Sequence, residues 1–80
     1  MPTVLRIDGY RFFFYSMEGN EPPHIHVEAG ENVAKYWLGP VALAMNDGFR
    51  SHELTKLRGL VATHKDMFRE AWDAHFGSQV

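Results

Sequence analysis

Apolar and polar positions alternate over the first half of the chain and recur every three to four residues over the second. Thr3–Ile7 is rich in β-branched and apolar residues and predicts a first strand. Asp8-Gly9 supplies the positive φ angles of a type I′ turn, and Tyr10–Tyr15 reads as the returning strand of a hairpin. That strand is apolar on both faces, with Tyr10, Phe12 and Phe14 on one and Phe13 and Tyr15 beside Arg11 on the other. Ser16–Pro23 holds Gly19, Asn20 and two prolines and predicts a loop with a stiff exit. His24–Glu28 alternates cleanly, Ile25 and Val27 to one side and His24, His26 and Glu28 to the other. After a turn at Gly30–Asn32, Val33–Leu38 forms a fourth strand with Lys35 and Trp37 on one face. Gly39-Pro40 interrupts, and Val41–Ala44 fits a short edge strand.

The pattern then turns helical. Asn46-Asp47-Gly48 marks a turn and Ser51 a helix N-cap. From there to Phe76, Leu54, Leu57, Leu60, Val61, His64, Phe68, Ala71, Trp72 and His75 fall within about 60° of one line on a helix. Gly77 stands where the helix should stop. A continuous helix of that length runs about 39 Å, nearly twice the roughly 20 Å side of a small sheet. Either the helix breaks near Thr63-His64 or one end projects, and the unbroken stripe favours projection. The fold class expected is therefore α+β: an antiparallel four- to five-stranded meander followed by one long C-terminal helix packed on one sheet face. It makes a single domain over residues 1–80, with the sheet in 1–44 and the helix in 51–76.

Composition narrows the class further. The hydrophobic fraction of 45% excludes a mainly disordered chain. The absence of cysteine removes disulfides, thiolate metal sites and thiol nucleophiles together. A secreted chain of this size normally needs such staples, so a cytoplasmic location is expected, without membrane association. The formal net charge of −2 gives no overall drive toward nucleic acid. Six Phe, three Tyr and two Trp exceed what a small core needs. With one helix to cover a sheet apolar on both faces, they point to a partner surface and to a homodimer or a complex with a cognate small protein.

His24 and His26 carry the chemical interest. On a strand their imidazoles stand side by side, roughly 6–7 Å apart. Neutral imidazole is the commonest metal ligand, so one reading is a site for zinc or another divalent transition metal on His24, His26 and Glu28. The same pair titrates near neutral pH and suits general acid–base work. With Arg11, Tyr15 and Lys35 on the same face it would make a catalytic set for metal-independent RNA cleavage, needing no cofactor. A polar strand face bonded to a loop or partner is the third reading.

The residues Asp8-Gly9-Tyr10-Arg11-Phe12-Phe13-Phe14-Tyr15-Ser16 and Glu21-Pro22-Pro23-His24-Ile25-His26-Val27, with Ala34-Lys35-Tyr36-Trp37-Leu38, Gly48-Phe49 and the helix bearing Trp72, are similar to a known pattern. It resembles the bacterial domain-of-unknown-function family 4160, whose most specific element is Pro-Pro-His-x-His-Val. The resemblance implies a small stand-alone bacterial domain, often encoded beside a second small domain in a toxin–antitoxin-like pair. It implies no catalytic residues. The function expected is thus binding to a cognate partner within a two-protein module, with RNA cleavage at the histidine pair, metal binding and a structural homodimer as further readings.

Overall fold

Asp8 and Gly9 lie at φ 53° and 84°, the two positive angles a type I′ hairpin requires. They join β1 (Thr3–Ile7) to β2 (Tyr10–Phe13). The computed structural model describes residues 3–77, and three further strands follow: β3 (His24–Ala29), β4 (Asn32–Leu38) and β5 (Val41–Asp47). The sheet runs in chain order from β1 to β5, every neighbouring pair antiparallel. This is the expected meander with its fifth strand present. That strand is longer than expected, because Asn46 and Asp47 stay in the ladder. Asn46 then folds the exit, its side chain bonding both the N–H and the carbonyl of Phe49.

The alternation sets the core. Phe12, Ile25, Val27, Ala34, Tyr36 and Leu38 share the sheet face that meets Leu57, Val61, Phe68 and Trp72 of the helical layer. Phe12 stacks on Phe68 with ring centroids 5.2 Å apart. Each such aliphatic or aromatic side chain contributes about 1.5–3 kcal/mol on burial, and the Tyr36 hydroxyl, donating to the Leu54 carbonyl at 2.9 Å, ties the sheet to the first helix.

The helical layer departs from the single long helix expected. It consists of α1 (Ser51–Thr63) and α2 (Lys65–Phe76), broken at His64. The N-cap is Arg50 rather than Ser51, its N–H donating to the Glu53 carboxylate at 3.3 Å. At the break, both the backbone N–H of His64 and its ring Nδ1–H reach the Leu60 carbonyl, at 3.0 and 2.9 Å. The His64 backbone leaves helical geometry, at φ −104° and ψ 15°, while its ring bond to the Leu60 carbonyl holds the turn. Two segments of 13 and 12 residues, about 20 and 18 Å long, match the sheet where one of 39 Å would not. Both halves pack on the sheet, and Trp72 is buried against Phe14, His24 and Phe76. The aromatic end of the helix therefore has cover within its own chain, and it supplies no argument for association.

Candidate functional site

β3 presents His24 and His26 on the face opposite Ile25 and Val27, as the alternation requires. Register places His26 between Phe13 of β2 and Lys35 of β4, and His24 beside Trp37. The two imidazoles stand nearly perpendicular, centroids 5.2 Å apart. Phe13 stacks on His26 at 5.4 Å and Tyr15 meets it edge-on at 4.9 Å. Trp37 and Trp72 close on His24 at 5.6 and 4.8 Å.

Alternation puts both histidines on the sheet face away from Ile25 and Val27, where partial exposure is expected. Instead His24 is 0% and His26 6% exposed. The segment between β2 and β3 folds back over them and brings in Glu18, a residue the alternation of the strands does not single out. Its carboxylate lies 2.9 Å from His26 Nε2 and 3.0 Å from His24 Nε2. The Tyr15 N–H holds it in place, donating to Oε1 at 3.0 Å.

The electrostatics follow from this closure. Burial alone would raise the Glu18 carboxyl, but hydrogen bonds from His26 and from the Tyr15 N–H outweigh it and hold the group below the usual carboxylate range. Burial pushes the His26 imidazole below its ordinary pKa, against the opposing pull of Glu18. His24 donates Nδ1–H to the Pro22 carbonyl at 2.9 Å, which fixes its tautomer.

The remaining members of the expected catalytic set are gathered on this face but already engaged. Arg11 pairs with Glu28 at 2.6 Å, donates to Thr3, and lies over the Phe13 ring. Lys35 pairs with Glu21 at 2.6 Å and lies over Trp37, and its ammonium lowers the Glu21 carboxyl pKa. Tyr15 is half exposed at the rim. Both cations thus face carboxylates of their own chain, and the imidazoles lie beneath side chains. The acidic residue expected beside the histidines also changes. Glu28 is in phase on β3, but its carboxylate goes to Arg11, and Glu18 takes the place beside the rings.

The opposite situation holds at β5. Among the described residues it is the last strand of the sheet, and every residue after Val41 is exposed. Leu43 is 46% and Met45 41% exposed, and no charged side chain occurs before Asp47. At its start a pocket of about 380 Å³ opens between Pro22, Pro23, Trp37, Pro40 and Ala42, with Arg69 at its side. No helix of the described residues is long and apolar enough to cross a membrane.

No curated protein and no solved structure matches the chain. Residues 9–73 match the family described as Domain of unknown function (DUF4160). That span takes in β2, the loop bearing Glu18, both strand histidines, the β5 edge and most of α2, and by it the chain belongs to the DUF4160 family.

Proposed function

We propose that this domain acts by binding protein, as one component of a two-protein, toxin–antitoxin-like module, and that the β5 edge is the surface it uses. The observation that carries the reading is an unpaired, mainly apolar edge strand, uncharged before Asp47, on a sheet whose histidine face is closed. Soluble proteins usually blunt such edges with charge, proline, shortness or a bulge. The other edge follows the rule: β1 has five residues, carries Arg6, and pairs irregularly with β2. β5 has seven residues, and its one irregularity is the extra residue Ala44 opposite Lys35 and Tyr36.

The partner such a strand fits most simply is a second copy of itself. Two β5 strands paired antiparallel about Leu43 place the two Leu43 side chains opposite each other. They also keep the two Asp47 carboxylates at far ends, whereas parallel pairing would set them together. A cognate protein in the module would use the same edge by adding a strand of its own.

Sedimentation of the purified chain tests this. The expected species at high micromolar concentration has twice the 9.2 kDa chain mass, and Leu43→Lys, at an exposed position, reduces it to the monomer without loss of folded structure. Mixing Leu43→Lys with Leu43→Glu should restore the dimer. A monomeric wild type, or a dimer indifferent to Leu43→Lys, contradicts the proposal.

A further inference from the structure

We propose that Glu18, His24 and His26 form a binding site for a divalent transition-metal ion, with the two imidazoles and the carboxylate as its protein ligands. The three residues offer ligand atoms that all lie within 4.8 Å of one another. A tetrahedral ion with bonds near 2.0–2.1 Å sets its ligand atoms about 3.3 Å apart. Measured to the same oxygen, Glu18 Oε1, His24 Nε2 and His26 Nε2 stand at 3.0 and 3.1 Å, close to that edge.

The stronger argument is the direction of the protons. His24 Nδ1 lies 2.9 Å from the Pro22 carbonyl, an oxygen that only accepts, so Nδ1 carries a hydrogen. In the neutral ring Nε2 then presents a lone pair. That nitrogen is fully buried, makes no hydrogen bond, and yet sits 3.0 Å from a carboxylate oxygen. A lone pair facing an anion inside a protein calls for positive charge between them. A ring whose Nδ1–H is anchored on a backbone carbonyl, leaving Nε2 free to bind, is the usual outer arrangement of a metal-bound histidine. His26 Nε2 also faces Glu18, at 2.9 Å, donating a hydrogen that an ion bound there would displace. A proton on His24 Nε2 and a metal ion are the two ways to supply that charge, and the convergence of both imidazoles on one carboxylate is what favours the ion.

The donor set selects the class of ion. Two nitrogens and one oxygen suit zinc, nickel, copper or iron, whereas calcium and magnesium prefer oxygen alone. Three protein ligands leave a position for water. Holding Glu18 against β3 would also pin the segment between β2 and β3, whose Pro22 and Pro23 wall the pocket beside β5.

The test uses the full untagged chain stripped by chelator, with zinc in calorimetry and cobalt(II) as a visible probe of geometry. One zinc per chain is expected, with cobalt(II) absorption of tetrahedral type and a higher melting temperature in excess zinc. Glu18→Gln, on a loop, keeps the fold and should weaken zinc binding by more than the roughly 10–100-fold that loss of an outer partner costs. His52→Asn, at an exposed histidine remote in sequence, should leave binding unchanged. The proposal fails if the wild type takes up no zinc, if Glu18→Gln binds as tightly as wild type, or if His52→Asn abolishes uptake.

Discussion

Tyr36 offers a quantitative check on how the helical layer is held. Its hydroxyl is buried, and it donates to the Leu54 carbonyl across the sheet–helix interface. Tyr36→Phe keeps the ring in place against α1 and deletes only that bond. The net loss should be about 0.5–1.5 kcal/mol, and a domain of this size loses about 4–8 °C in Tm per kcal/mol. The pH dependence is more discriminating. Burial raises the Tyr36 phenol above its ordinary value, with Arg58 pulling weakly the other way. Below about pH 10 the phenol is protonated in folded and unfolded chains alike, and the full contribution of the bond is present. Above that pH the unfolded chain ionises first. The contribution is then lost as pH rises through the raised folded value. Tyr36→Phe has no such loss. The Tm gap between wild type and variant should therefore be full at neutral pH and shrink as alkaline pH is approached. Thermal melts by circular dichroism across that range decide it. A gap that stays constant with pH, or no gap at neutral pH, would refute the reasoning.

Two further substitutions test the same architecture. Phe68→Ala removes a fully buried ring stacked on Phe12 and should cost about 3–5 kcal/mol; urea titration should show a domain largely unfolded or close to it. Gly48→Ala forces an alanine to φ +105° with its Cβ against the Asn32 side chain; the cost should be about 1–3 kcal/mol, read as a lower urea midpoint with unchanged slope.

Much of the fold was legible because its signals are local. The Asp8-Gly9 turn, the alternation at Ile25 and Val27, and the stripe from Leu54 to Trp72 each specify an element and the face it buries. The break at His64 was not legible from periodicity, since the stripe passes through it unchanged. Length was the better guide, because a helix twice as long as its sheet must bend or lose cover. The histidine pair was found for a sound reason, but its burial was not. Alternation tells which face a residue takes, not whether a loop returns to cover it. Glu18 was missed on the same ground: only the path of the chain between β2 and β3 brings it to His24 and His26. The length of β5 was underestimated because Asn46-Asp47-Gly48 reads as a turn, whereas Asn46 turns the chain only after completing the ladder.

Hydrogen exchange along β5 tests the central claim, that the domain works through this edge, most directly. Half of the amides in a lone edge strand face solvent and should exchange quickly. If β5 pairs with a second copy, the outward amides within Val41–Asn46 will be protected in concentrated samples and lose that protection on dilution, while core amides of β3 remain slow throughout. Outward β5 amides that exchange quickly at every concentration would contradict the account.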